Sequence, residues 1–84
     1  MKNYTTHFIK EGDVINGLGG YLEIDHYSGS GLFYANEYEI IDGDGNVEFL
    51  GRFPFTSRDI EHYMRDADGI NHKVFYAGCD DEEE

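Results

Sequence analysis

Residues 32–53, LFYANEYEIIDGDGNVEFLGRF, decide the fold, because their pattern predicts two strands joined by a tight turn. On both sides of the turn, apolar and polar residues alternate with the period of a β-strand. Two Asp-Gly pairs at 42–45, followed by Asn46, separate the two runs. Such residues tolerate the positive φ angles of hairpin turns. The segment therefore predicts a β-hairpin with strands over 32–41 and 46–53.

The turn also has the spacing that opens a calcium loop, with Asp42, Asp44 and Asn46 at alternate positions. A calcium-binding EF-hand loop needs glycine at position 6 and a bidentate glutamate at position 12. Counted from Asp42, these positions hold Val47 and Phe53. The segment therefore predicts a hairpin turn without a dedicated metal ion.

Three further strands are predicted outside the hairpin, over residues 4–9, 21–27 and 72–77, from their alternating β-branched and aromatic residues. Residues 10–20 are rich in glycine and contain an Asn-Gly pair. That composition is typical of a long loop or an irregular hairpin connection.

One helix is predicted after Pro54, which we expect to end the preceding strand because it lacks an amide hydrogen. Thr56 or Ser57 can cap the helix N-terminus, and Gly69 suits its C-terminal cap. Between the caps, apolar residues recur at helical spacing. They are Ile60, Tyr63, Met64 and Ala67.

The predicted element order is β-β-β-β-α-β, which indicates an α+β fold. An antiparallel sheet of four to five strands would pack one face on the helix and leave its other face open and acidic. Residues 1–79 are expected to form a single domain, with residues 80–84 as an acidic disordered tail.

Net charge restricts the function. Eighteen acidic residues against six basic ones give −12, and no Lys or Arg lies between Lys10 and Arg52. Such a charge repels nucleic acid and anionic membranes and attracts basic surfaces. The composition therefore disfavours direct nucleic-acid binding and favours a basic protein as partner.

The expected compartment is the cytoplasm. The one cysteine, Cys79, excludes an internal disulfide and a cysteine-based zinc site. No apolar run is long enough to span a membrane, and no signal peptide is recognisable.

The predicted strand faces gather carboxylates on the open side of the sheet. On 21–27, Leu22, Ile24 and His26 are expected to face the core. On 32–41, Leu32, Tyr34, Asn36, Tyr38 and Ile40 are expected to do so. The predicted partner-binding residues on the open face are Glu23, Asp25, Glu37, Glu39 and Glu48, with Asp42 and Asp44 at the rim and Tyr21, Tyr27 and Phe33 on or beside the face.

At strand spacing, these carboxylates would lie about 6.8 Å apart along a strand and about 4.8 Å apart across strands. This pitch is comparable to the phosphate spacing of a nucleic-acid backbone. Alternatives remain at this point: a merely solvated sheet face, exchanged core and surface positions, or a homodimer that covers the face.

No active site is recognisable, so we expect a protein without enzymatic activity or cofactor. The four histidines, at 7, 26, 62 and 72, show no metal-ligand spacing and are expected at the surface or at strand edges. The glycine-rich segments lack the lysine of a phosphate-binding loop. Asp80 and Asp81 disfavour the thiolate of Cys79.

In size, acidity and inferred architecture, the chain resembles small acidic phage-encoded anti-defence proteins of the anti-CRISPR and anti-restriction DNA-mimic types. The resemblance implies a non-enzymatic inhibitor, monomeric or homodimeric, that binds a basic nucleic-acid-binding protein in the host cytoplasm. The alternative is an immunity- or antitoxin-like module that neutralises a basic protein without competing with nucleic acid.

Overall fold

The computed structural model describes residues 4–78, which form six strands and one helix. The elements are β1 (Tyr4–Ile9), β2 (Val14–Gly17), β3 (Gly20–Tyr27), β4 (Phe33–Ile40), β5 (Val47–Phe55), α1 (Ser57–Asp68) and β6 (Asn71–Tyr76). The predicted α+β class is confirmed. Cys79 and the predicted tail at 80–84 lie outside the described residues.

The strands form two sheets. β2, β3, β4 and β5 make the expected antiparallel sheet in chain order, while β1 and β6 form a separate parallel pair. In the pair, Tyr4 lies opposite Asn71 and Ile9 lies opposite Tyr76. The pairing brings together residues more than sixty positions apart, which local sequence patterns do not encode.

Residues 10–20, predicted as a long loop or an irregular hairpin connection, contain strand β2. This strand pairs with β3 from Val14 opposite Glu23 to Gly17 opposite Gly20. The two-residue turn between them contains Gly19 with φ 76°. The glycines that indicated a loop are the residues that allow so tight a turn.

Helix α1 begins and ends where its capping residues predict. Thr56 Oγ1 accepts the Asp59 amide and the Asp59 carboxylate accepts the Thr56 amide, both at 3.1 Å. At the other end, Gly69 is left-handed and its amide donates to the Arg65 carbonyl at 2.7 Å. Ala67, predicted in the apolar stripe, is exposed because the stripe faces the core only over the first two turns.

The core lies between α1, the inner face of the four-stranded sheet and the β1–β6 pair. Its members are entirely apolar, and each stabilises the fold by about 1.5–3 kcal/mol where a large side chain is fully buried. They are Ile9, Ile15, Leu22, Ile24, Phe33, Ala35, Ile60, Met64 and Val74.

The faces of β4 are exchanged relative to the prediction. Phe33 and Ala35 are fully buried under the helix, whereas Tyr34 and Tyr38 lie on the uncovered face. Ala35 pairs with buried Ile24, which sets the phase of the strand. Large apolar side chains occupy both faces of residues 32–41, so the alternation gives the period of the strand but not its phase.

A bulge at Asp25 exchanges the two faces of the sheet for the side chains at the end of β3. Beyond it, His26 stacks on Tyr34 at 4.8 Å on the uncovered face, contrary to its predicted place beside the core residues. Tyr27 turns to the core side, where its ring stacks on Tyr76 at 4.2 Å. Tyr27 is therefore not on the open face, as the sequence predicted.

Strand β5 passes through Pro54 and continues to Phe55, so the expectation that Pro54 ends the strand was wrong. Pro54 lies opposite Tyr34, and β5 is an edge strand of the sheet. An edge strand tolerates proline because one side of its backbone has no ladder to complete.

Candidate partner-binding surface

The strand register divides the predicted carboxylates between the two faces of the sheet. Glu37 lies opposite Leu22, which is fully buried against the helix, so Glu37 is on the helix side. Glu39 shares that side, because it lies two residues further along β4, and its cross-strand partner is Glu48. Glu23 points to the opposite, uncovered face. The five strand carboxylates thus do not form one lattice.

Three of these carboxylates lie on a projecting segment, residues 37–50, which we call the hairpin arm. Every residue from 39 to 50 is exposed. The arm contains no Lys or Arg, and its acidic residues are Glu37, Glu39, Asp42, Asp44 and Glu48. It therefore gathers five of the seven acids that the sequence predicted as partner-binding.

The arm is also apolar on the side away from its glutamates. Ile40 pairs with Val47, and the Tyr38 and Phe49 rings contact each other with centroids 5.4 Å apart. Phe49 is 57% exposed and Ile40 46%. Exposed apolar side chains that adjoin one another are a feature of protein-binding surfaces.

The tip of the arm is held by Asp42. Its two carboxylate oxygens accept the Asp44 amide and the Asn46 side-chain amide, each at 2.9 Å, and the Ile41 amide donates to the Asn46 carbonyl at 2.8 Å. The bond from Asn46, with that from Asp44, lowers the pKa of Asp42. The predicted hairpin is confirmed, and Asp42 acts inside the turn while Asp44 is the exposed charge at the tip.

At the base of the arm, a cavity of about 390 Å³ opens on the helix side. Leu18 and Leu50 line it with Glu37 and Tyr63. Burial raises the pKa of Tyr63, and the charge of Glu37 adds to this. The base of the arm thus combines a half-buried carboxylate with two exposed leucines.

Tyr21 and Glu23 lie beside Tyr38 on the uncovered face. The Tyr21 and Tyr38 rings are 4.9 Å apart, which extends the Tyr38–Phe49 contact into an aromatic row over three strands. The Tyr38 hydroxyl donates to the Glu23 carboxylate at 3.4 Å. This face is therefore uncovered, as predicted, but richer in aromatic rings than in carboxylates.

Asp25 has partners of its own. Its Oδ2 lies 2.7 Å from His26 Nδ1 and 3.6 Å from Arg52 Nη1. The hydrogen bond with His26 is the largest cause that lowers the pKa of Asp25, and the nearby Arg52 charge contributes further. Asp25 is thus engaged within the chain rather than presented to a partner.

A contact between two histidines was missed by the sequence analysis. His7 Nε2 and His72 Nδ1 are 2.9 Å apart, and His72 Nε2 lies 3.1 Å from both oxygens of Asp68. Both histidines are half-buried, and each lies on one strand of the two-stranded parallel pair. No local signal could have found the pair, because it depends on the parallel pairing of β1 with β6.

Within residues 4–78, no group of three or more His, Cys, Asp or Glu side chains could hold a metal ion. In the same residues, no helix has both the length and the apolar character needed to cross a bilayer. Comparison of the chain with protein-family models, curated proteins and solved structures found no match. The choice of the hairpin arm as candidate site therefore rests on its own geometry and charge.

Proposed function

We propose that this chain is a non-enzymatic inhibitor that binds a basic nucleic-acid-binding protein through the hairpin arm. The observation that carries the proposal is the composition of the arm: five acids and no base on a hairpin that is exposed throughout residues 39–50. Charge of one sign on a projecting element attracts a basic groove and accelerates association with it. Nucleic acid would compete for the same groove.

The apolar side of the arm supports protein binding rather than mere solubility. Phe49, Val47 and Ile40 are each more than 40% exposed and lie within a few residues of the charges. Apolar and aromatic side chains supply most of the binding free energy at protein interfaces, whereas charges supply rate and specificity. The arm offers both on one hairpin.

The cross-strand pair Glu39–Glu48 supports the proposal in a second way. Two like charges directly opposite on antiparallel strands destabilise a hairpin. A hairpin with only a structural role would gain from an opposite charge at either position. The repulsion would be relieved when a cationic partner covers both carboxylates.

The second candidate is an immunity- or antitoxin-like module that neutralises a basic protein without nucleic-acid competition. The same acidic arm would serve it. Double-stranded DNA distinguishes the two, because it releases the partner only when both compete for one groove.

The experiment captures basic nucleic-acid-binding proteins from a bacterial lysate on three immobilised chains: wild type, Glu48→Lys and Asp66→Lys. Glu48 and Asp66 are both exposed, and each change alters the net charge equally. We expect the wild type and Asp66→Lys to retain the same basic protein, Glu48→Lys to lose it, and DNA to release it. Equal retention by the two variants would exclude the arm. Retention that DNA does not affect would favour the second candidate.

A further inference from the structure

A cleft between α1 and β6 has the opposite charge from the rest of the chain. Its volume is about 290 Å³. The charged side chains and imidazole rings that line it belong to Arg58, Glu61, His62, Arg65, His72 and Lys73. Three of the six Lys and Arg residues of the chain are therefore gathered around one cleft.

These three cations differ from the other described ones in their partners. Lys10 and Arg52 each have a carboxylate at 3.6 Å, from Asp13 and Asp25 respectively. The three cations of the cleft have no ion pair within residues 4–78, although the chain contains eighteen acids. Like charges gathered around one cleft repel each other, so this grouping is unfavourable for folding alone.

The positions of the cations follow from the helix and the adjacent strand. Arg58, His62 and Arg65 are spaced four and three residues apart, which places them on one face of α1, about 10 Å from end to end. Lys73 approaches from β6, with its ammonium 6.0 Å from the Tyr4 ring centroid. The cleft thus presents two guanidinium groups and one ammonium group from two elements.

Glu61 is the one carboxylate among the residues that line the cleft. Its Oε2 accepts a hydrogen bond from the Val74 amide of β6 at 2.9 Å, and it forms no ion pair with Arg65 one helical turn away. Three cations against one carboxylate leave the cleft with two net positive charges when its histidines are neutral. One of these histidines, His72, contacts Asp68 through its Nε2 atom at 3.1 Å.

We infer that this cleft binds the dianionic phosphate group of a phosphate monoester. Two guanidinium groups match phosphate oxygens with paired hydrogen bonds, and the net charge of the cleft matches a dianion. The volume lies at the lower end of the range for small-ligand sites. A nucleic-acid polymer is excluded as the ligand, because its neighbouring phosphates would meet the −12 charge of the chain.

The test titrates inorganic phosphate, glycerol phosphate and a phosphoserine peptide into the chain at constant ionic strength, followed by amide NMR shifts. We expect shifts over residues 58–65 and 71–73. The double variant Arg58→Gln/Arg65→Gln should bind roughly tenfold more weakly or worse, because it loses charge-assisted hydrogen bonds. Arg52→Gln is the matched control, because Arg52 lies on β5 and pairs with Asp25, and it should bind as the wild type does.

Equal binding by the double variant and Arg52→Gln would overturn the inference. So would equal shifts from acetate, or the absence of shifts with all three phosphate probes. Lys73→Gln provides a second variant, on a strand instead of the helix, if the double variant is poorly folded. Tighter binding of glycerol phosphate would identify a free ester as the source of the phosphate, and tighter binding of the peptide a phosphorylated side chain.

Discussion

The histidine pair on β1 and β6 forms a half-buried contact. The Asp68 carboxylate can only accept, so His72 Nε2 is the donor to it, and with a neutral His72 ring the Nδ1 atom accepts from His7 Nε2. Burial lowers the pKa of His7, and the proximity of His72 lowers it further. The folded chain therefore favours neutral His7.

This arrangement predicts a loss of stability in mild acid. His7 titrates near 6.5 in the unfolded chain and below that value in the folded chain. The unfolded state thus binds more protons as the pH falls through 6.5, and the free energy of unfolding decreases with it. His7→Gln should flatten this dependence in urea unfolding measured between pH 7.5 and pH 5.5.

The chosen pH interval separates His7 from the carboxylates. Asp68 and Glu11 have pKa values lowered from ordinary values of 3.8 and 4.5, so their stabilisation is lost only at more acidic pH. An equal loss of stability in wild type and His7→Gln between pH 7.5 and 5.5 would show that His7 is not the responsible group.

At the scale of elements, the hairpin arm depends on close packing at its base. Gly20 begins β3 and lies opposite Glu39. A Cβ atom at Gly20 would meet the backbone carbonyl oxygen of Tyr38. The carbonyl cannot move without disturbing the ladder between β3 and β4, so position 20 requires glycine.

We therefore expect Gly20→Ala to lower the free energy of unfolding by about 1–3 kcal/mol, the usual effect of overpacking. Gly43, in the turn of the arm, has no atom within 4 Å of an added Cβ, and its φ is not positive. Gly43→Ala should change stability by no more than about 0.5 kcal/mol. Chemical denaturation of Gly20→Ala and Gly43→Ala measures both changes. Equal destabilisation of the two variants would contradict close packing around Gly20.

The elements that the sequence predicted well are those with local chemical signals. Thr56 and Gly69 mark the two ends of the helix through contacts within four residues. The Asp-Gly turn, which joins β4 to β5, also depends on contacts between near neighbours in the sequence. The phase of β4 was not predictable, because Phe33 and Tyr34 are both large and only the pairing of Ala35 with β3 decides between them.

The candidate site was predicted only in part, because some of its residues depend on local signals and others on the phase of β4. The acids at the tip of the arm follow from the turn, whereas the sides of Glu37 and Glu39 depend on the phase of β4. The bulge at Asp25 has no distinct sequence signal, and beyond it Tyr27 lies on the core side of the sheet. Long-range pairing, rather than local propensity, accounts for these differences.

The whole molecule is thin, with extents of 44 × 32 × 17 Å. One helix cannot cover the four-stranded sheet, so the hairpin arm extends past the core and keeps both its sides exposed. The acids of the arm and the cations of the α1–β6 cleft lie on different elements. The chain thus presents two surfaces of opposite charge.

The acidic residues of the arm are expected to lower the stability of the fold while they favour binding. Glu48→Lys replaces a like-charge pair with an opposite-charge pair across β4 and β5, and should raise the free energy of unfolding by about 0.2–1 kcal/mol. The same change places a cation against a basic partner, and should weaken the complex tenfold or more. A change that stabilises the fold cannot weaken binding through unfolding.

The most direct test of binding through the hairpin arm compares Glu48→Lys with Asp66→Lys. It measures the melting temperature of each variant, and its Kd for the captured basic protein at two or more salt concentrations. We predict a higher melting temperature for Glu48→Lys, together with a Kd at least tenfold higher and a weaker salt dependence. Asp66→Lys should leave the Kd within about threefold of the wild type. A Kd for Glu48→Lys equal to that of Asp66→Lys at every salt concentration would contradict binding through the hairpin arm.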